Sequence, residues 1–175
     1  GIQGAHAFEV AFDGVRVPAA NRLGAEGTGF KTAMRVLDNS RLDVAATALG
    51  IAEAALADAT RWMRERQIGG EPIASKQGLQ WMLADMKLRL EASWALTLQA
   101  LALRQAGQPF TLQSAMAKLH ASEMVGFVTD AALQIHGGYG YTREMPLERY
   151  VRDARILRIY EGSSEVQRNI IARMV

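Results

Sequence analysis

The sequence predicts an all-α protein: an antiparallel, up-down four-helix bundle with a short C-terminal helix, preceded by a short β segment. Of its 175 residues, 49% are hydrophobic and only four are proline, a composition that favours globular helical structure. Apolar residues recur at three- and four-residue spacing over long stretches. Short breaks with glycine or proline separate these stretches, which is typical of helices packed antiparallel to their neighbours.

The β segment comes first. Residues 6–17 alternate apolar and polar side chains around an Asp13-Gly14 turn, which predicts a strand pair. One strand pair does not form a stable sheet alone. We therefore expect residues 1–26 to be the end of a β domain with a linker, and residues 27–175 to be the helical bundle domain.

The apolar pattern divides the bundle domain into five helical segments. They are expected at about 30–66, 75–107, 111–135, 144–157 and from about 163 onward. On the first helix, Phe30 and Met34 are expected on the apolar stripe that faces the bundle. In the last segment, Ser164 and Gln167 have the spacing of a capping box, which predicts that Ser164 caps this helix.

Composition excludes several classes of protein. The absence of cysteine excludes disulfides, thiolate metal sites and a cysteine nucleophile. No apolar run reaches the length of a membrane span. The net charge of +2 is too small to indicate a nucleic-acid-binding protein. The three histidines have no metal-ligand spacing, so no metal site is expected.

Three features are candidates for chemistry, and each also has a purely structural interpretation. Arg41 lies on an apolar stripe, where a charge needs a partner such as Asp38 or a ligand. The glycines of 137–140 either end a helix or let the backbone approach an anion. Glu161 stands directly before the last helix, where a carboxylate either balances the helix dipole or acts as a base in a cleft.

Five arginines crowd one segment of the chain. Within it, Glu148 with Arg152 and Arg149 with Asp153 are four residues apart and are expected to pair. Such pairing predicts a solvated charged face, and recognition of phosphate is the alternative. The five are Arg143, Arg149, Arg152, Arg155 and Arg158.

Two C-terminal motifs are specific. Residues 134–153 read QIHGGYGYTREMPLERYVRD, and residues 158–168 read RIYEGSSEVQR. With residues 12–18 (FDGVRVP) and 27–30 (GTGF), they resemble the C-terminal part of acyl-CoA dehydrogenases over essentially the whole chain. In that family, an N-terminal helical domain and a middle β domain precede the bundle.

The resemblance implies a role for Glu161 as the base that removes the α-proton of an acyl-CoA thioester. The β-hydrogen leaves as hydride to flavin N5, giving a trans-2-enoyl-CoA, and the Glu161 backbone N–H helps to polarise the thioester carbonyl. Some branches place the base on the first long helix, where this chain has Ser40, which cannot serve. The substrate-binding residues implied are Arg41, Asp38, Tyr160 and Gly162.

The resemblance also implies flavin adenine dinucleotide (FAD) as cofactor. Arg66 matches an arginine that reaches the pyrophosphate from a neighbouring subunit, and Gln134 and Gly138 match groups near the adenosine end. Ser163 and Glu165 match further cofactor contacts. At Gly69 the chain departs from relatives that carry a phenylalanine near the partner's flavin.

An electron-transfer flavoprotein as acceptor, a homodimer or homotetramer, and a bacterial cytoplasmic or mitochondrial matrix location are further implications of the family. Alternatives remain open. One is an oxidase-like family member, and another acts on a carrier-linked or steroid acyl group. Outside the enzymes, the chain is either a catalytically degenerate assembly domain or an anion-binding helical module.

Overall fold

The computed structural model describes residues 1–175 and confirms the all-α class. Two two-residue strands, β1 (Gln67–Ile68) and β2 (Glu71–Pro72), pair antiparallel between the first two long helices. The helices are α1 (Gly29–Glu65), α2 (Gln77–Gln105), α3 (Thr111–His136), α4 (Gly138–Tyr141), α5 (Leu147–Arg155) and α6 (Ser164–Met174).

The long helix α3 is the centre of the molecule, since it packs against α1, α2, α5 and α6. The face that α1 buries is lined by alanines at alternating three- and four-residue spacing, all fully buried. Small side chains on a helix face let a neighbouring helix backbone come close. These alanines are Ala45, Ala48, Ala52, Ala55 and Ala59.

The directions of the long helices follow from contacts between them. Trp94 Nε1 on α2 donates to Glu53 Oε1 at 2.8 Å, as α2 runs back along α1. Thr111, the first residue of α3, donates to Asp38 at 2.7 Å, and at the other end of α3 His136 stacks on Trp62. Thus α1 and α3 run in the same direction, as an up-down bundle requires.

The first turns of α1 contradict the predicted inner stripe. Phe30 is 77% exposed and Met34 38% exposed. Because α3 begins level with Asp38, no long helix covers the preceding turns of α1. The apolar pattern predicted the helix correctly there, but not its burial.

The segment with strand-like alternation, residues 6–17, forms no strand in the structure. Phe8 and Phe12 are each 81% exposed. No third strand lies beside this segment, and an isolated strand pair is not stable in water.

Two local predictions at the C-terminal end are corrected. Ser163, not Ser164, caps α6, and its side chain accepts from the N–H of Val166 at 3.5 Å. Of the two predicted ion pairs, Arg152 with Glu148 forms at 2.7 Å. Asp153 instead accepts a hydrogen bond from the Ile2 backbone, so its predicted pair with Arg149 is wrong.

Candidate active site

The loop between α5 and α6 makes a sharp turn at Glu161 and Gly162, here called the elbow. Glu161 has φ +55° and Gly162 has φ +88°. Glycine adopts positive φ readily, whereas a residue with a Cβ does so at a cost of about 1–3 kcal/mol. Contacts with the rest of the fold must therefore hold Glu161 in this conformation.

The carboxylate of Glu161 is half-buried and lies against α1. Ser40 Oγ is 2.7 Å from Glu161 Oε2 and 3.2 Å from the Leu37 carbonyl oxygen. A hydroxyl has one proton to donate, and the shorter distance and the negative charge favour the carboxylate. The backbone N–H of Glu161 donates to no acceptor in the protein. One residue thus offers both a proton acceptor and a free donor.

Arg41 and Asp38 lie beside this carboxylate on α1. Arg41 is 5% exposed, and its Nη1 donates to Asp38 Oδ1 at 2.5 Å. The other carboxylate oxygen of Asp38 accepts from Thr111. The structural interpretation of Arg41 as the partner of Asp38 is therefore confirmed. The Nε of Arg41 remains buried without a partner.

Sequence reasoning missed two buried residues beneath the elbow. Lys118 on α3 is fully buried, and its Nζ donates to the Gly162 carbonyl oxygen at 2.6 Å. Gln167 on α6 is also fully buried, and its Nε2 donates to the same oxygen at 2.9 Å and to the Glu161 carbonyl at 3.3 Å. Burial, reinforced by the charge of Arg41, lowers the pKa of Lys118 to about 8.

Glu123 on α3 fixes the start of α6. It accepts from Ser164 Oγ at 2.7 Å, and its carboxylate lies 3.5 Å from Arg158 and 3.7 Å from Arg168. Its contacts on both sides of the elbow connect the elbow to α3.

Tyr160 lines a cavity to which none of the other predicted substrate residues contributes. It is 38% exposed and lines a cavity of ≈ 530 Å³ with the N-terminal segment, including Ile2 and His6. Burial, and then the charge of Glu161, raise the pKa of Tyr160 above its ordinary value. Tyr160 thus directly precedes the elbow in sequence, but Glu161 does not line this cavity.

A second group of predicted residues lies at the other end of α1. Arg66 lines a cavity of ≈ 500 Å³ together with Trp62, Gly138 and Tyr139, and its guanidinium lies 5.6 Å from the centre of the Tyr139 ring. Gln134 is exposed on the last turn of α3. An open arginine, accessible glycine backbone and aromatic faces suit a ligand with phosphates and a flat ring.

The predicted cofactor residues therefore divide between two places. Ser163 and Glu165 adjoin the elbow, and the hydrogen bond with Ser163 lowers the pKa of Glu165 below its usual range. Ser40, which contacts Glu161, and Arg66 are separated along α1 by roughly 39 Å at 1.5 Å per residue. The structure does not bring the two groups together within one chain.

Other classes of site find no support in the structure. No group of three or more His, Asp or Glu side chains is arranged to hold a metal ion. No helix combines the length and the apolar character that crossing a bilayer needs.

Comparison with known families identifies the class of protein. Residues 27–175 match the family profile "Acyl-CoA dehydrogenase, C-terminal domain". The chain belongs to the acyl-CoA dehydrogenase family.

Individual relatives support this assignment. The chain is 53% identical over 175 residues to an acryloyl-CoA reductase (NADH) of Anaerotignum propionicum, covering 100% of this chain and 44% of the relative. It is 50% identical over 167 residues to a short-chain specific acyl-CoA dehydrogenase of Megasphaera elsdenii, covering 95% of this chain and 44% of the relative. The chain thus spans less than half the length of these relatives.

Solved structures match equally well. Butyryl-CoA dehydrogenase from Megasphaera elsdenii superposes with a TM-score of 0.92 at 49% identity, over 93% of this chain and 43% of that one. A structure described as the electron transferring flavoprotein of Acidaminococcus fermentans, from work on flavin-based electron bifurcation, gives 0.92 at 48% identity. That match covers 93% of this chain and 43% of the other.

Proposed function

We propose that this chain is the C-terminal domain of an FAD-dependent dehydrogenase that converts a short-chain acyl-CoA to its trans-2-enoyl-CoA, with Glu161 as the base. The observation that carries the proposal is the elbow. It presents a half-buried carboxylate and an unpaired N–H on the same residue. The short-chain preference rests on relatives named for butyryl-CoA or short acyl chains.

The chain's own groups perform the acid–base part of the reaction. The Glu161 carboxylate accepts the α-proton of the thioester, while its N–H donates to the thioester carbonyl oxygen and stabilises the charge that develops there. Ser40 holds the carboxylate against α1 before substrate binds. The bound FAD supplies the hydride acceptor for the β-hydrogen. We propose that Arg41 and Asp38 line the path of the acyl-CoA, with Tyr160 and Gly162 at the thioester.

The separation of the two cofactor groups supports a dimer. Ser163 and Glu165 adjoin Glu161, whereas Arg66, Gln134 and Gly138 lie at the far end of α1. We propose that each flavin site combines the elbow of one protomer with the Arg66 end of its partner. Arg66 then contacts the pyrophosphate of the partner's FAD as a charge-assisted donor.

The direction of electron flow has two candidates. In the dehydrogenase direction, we propose an electron-transfer flavoprotein as the acceptor, a suggestion supported by the description of one matching structure. The 53% identity to an acryloyl-CoA reductase (NADH) favours the reverse, reductase direction as the second candidate. Microscopic reversibility then makes Glu161 the group that returns the α-proton.

The test uses the full-length flavoprotein that carries this chain. Exchange of the acyl-CoA α-proton with D2O reports the base directly, and bleaching of flavin absorbance reports the complete reaction. Glu161→Gln should lower both by about 10²–10⁴-fold while the acyl-CoA still binds. Glu91→Gln, on the exposed face of α2, is the matched control and should change neither. Retained exchange in Glu161→Gln would refute the assignment of the base.

The same preparation distinguishes the two directions. Bleaching by butyryl-CoA with onward transfer to an electron-transfer flavoprotein supports the dehydrogenase. Reduction of an enoyl-CoA by NADH, without electron transfer from acyl-CoA, would establish the reductase instead.

A further inference from the structure

Lys118 is the largest side chain in the protein that is fully buried. Lysine is almost never buried completely unless it is paired, because removing its charge from water is unfavourable. Its Nζ forms one hydrogen bond, to the Gly162 carbonyl oxygen at 2.6 Å. Lys118, a fully buried ammonium that donates to one backbone oxygen of the elbow, is therefore a candidate for a functional role.

The charged groups around Lys118 come from its own helix α3, from the elbow, from α6 and from α1. Glu123 of its own helix, Glu161 of the elbow and Glu165 of α6 favour the ammonium form. Arg41 of α1 opposes it, as does burial itself. Glu161, one of the carboxylates that favour the charged form of Lys118, is also the proposed base. Lys118 is therefore close enough to the base to interact with its charge.

The elbow is a conformation that needs external support. Glu161 has a positive φ, which residues with a Cβ avoid, and Gly162 follows with φ +88°. Both carbonyl oxygens of the elbow accept hydrogen bonds from buried side chains: Lys118 on α3 and Gln167 on α6. Two helices thus hold the two peptide units that follow Glu161, and they thereby constrain the backbone torsions that place its side chain and N–H.

We propose that Lys118 is a positioning residue for catalysis: by holding the Gly162 carbonyl from below, it maintains the backbone conformation of Glu161. It does not touch substrate, and it acts through the placement of the Glu161 carboxylate and N–H. Gln167 is the second support, acting on the same oxygen. This inference rests on the proposed function, in which Glu161 is the base.

The test compares Lys118→Met, which keeps the length but removes the donor, with Lys118→Arg, which keeps a charged donor. Both are made in the full-length flavoprotein. The readouts are α-proton exchange, acyl-CoA affinity and thermal unfolding. Lys118→Met should lower exchange by about 100-fold, since small displacements of a reacting group have effects of that size. Its acyl-CoA affinity should stay within about 3-fold of the parent, since Lys118 makes no substrate contact and the proposal confines its effect to the reacting groups. Lys118→Arg should recover part of the loss.

Met86→Ala provides the structural control. Met86 is fully buried on α2, so its truncation lowers stability through packing alone. It should lower the unfolding temperature without lowering exchange per folded, flavin-loaded enzyme. This separates a positioning effect from general destabilisation.

Three outcomes would be decisive. One outcome is that Lys118→Met keeps exchange within about 3-fold of the parent, a change too small for a displaced base, while Glu161→Gln lowers exchange as proposed. The positioning role is then wrong and the proposed function stands. If Glu161→Gln itself retains exchange, the proposed function fails first. If Lys118→Met does not fold, Lys118→Gln and Gln167→Leu replace it, and unchanged exchange in both would overturn the inference.

Discussion

The two ends of α1 carry the same kind of residue in opposite circumstances. Near the start of the helix, Arg41 is 5% exposed and bound to Asp38. Just beyond its end, Arg66 is exposed, forms no salt bridge, and places its guanidinium over the face of Tyr139. One arginine has its counter-ion within the chain, whereas the other presents its donors outward.

The difference shows which part of the proposed site this chain completes by itself. At the elbow end, α1, α3 and α6 supply side-chain hydrogen bonds that hold Glu161 and Gly162. At the Arg66 end, the chain supplies an open cavity with a cation and aromatic walls. Changes at the elbow end should therefore affect proton transfer, and changes at the Arg66 end should affect binding of flavin or of a second subunit.

Among variants that compare the two ends of α1, the largest effect is expected from Gly162→Ala. A Cβ there would lie 2.5 Å from Gln167 Nε2, and alanine resists a φ of +88°. The elbow must rearrange, so α-proton exchange in the full-length flavoprotein should fall by about 100-fold.

Gly70→Ala is the matched control for this glycine at the opposite end of α1. Gly70 has a similar φ of +85°, but a Cβ there meets nothing within 4 Å. It should lower stability through backbone strain and leave exchange unchanged. Equal losses of α-proton exchange in Gly162→Ala and Gly70→Ala would contradict the proposal that only the elbow end of α1 affects proton transfer.

A smaller effect, on a different quantity, is expected from Arg66→Ala. Loss of a charge-assisted donor to phosphate should weaken flavin retention by about 10–100-fold, while exchange per bound flavin stays unchanged. Arg64→Ala, also exposed near the end of α1, should leave flavin retention as it is. Flavin titration of the apoprotein measures both, and equal retention in the two variants would argue against a cofactor role for Arg66.

The smallest effect concerns pH and the elbow end alone. Burial holds the pKa of Lys118 at about 8, below the ordinary value of 10.5, so between these values the unfolded chain binds more protons than the folded one. This lysine therefore makes the free energy of unfolding rise with pH across that window, by at most about 1.4 kcal/mol per pH unit. Below pH 8 its contribution is constant. Urea unfolding between pH 7 and 10 measures this effect. The free energy of unfolding should rise with pH more steeply in the parent than in Lys118→Met. Equal pH dependence in the two proteins would contradict the lowered pKa of Lys118.

The sequence predicted the long helices well because their signal is local. Apolar spacing and glycine or proline breaks placed α1, α2 and α3 within two residues of their observed bounds. The Glu148–Arg152 pair was likewise predictable from spacing within one helix. These features depend on neighbours a few positions away.

What was missed depends on partners distant in the sequence. Lys118 stands between an alanine and a leucine and has the pattern of a surface cation, yet its acceptor, Gly162, lies 44 residues further on. Gln167 was assigned to a cap because its spacing to Ser164 is right, although its amide turns to the elbow. Only the packing of α6 on α3 distinguishes these alternatives.

The unbroken length of α1 has a consequence for how the protein tolerates insertions. This helix runs for 37 residues and contains no proline. Adding one residue between Ser40 and Arg66 would move the Arg66 end by about 1.5 Å and turn it by about 100° relative to Ser40. The number of residues between Ser40 and Arg66 thus fixes how the two ends of α1 are oriented relative to each other, although they share no contact. We therefore expect α1 to accept substitutions far more readily than changes in length.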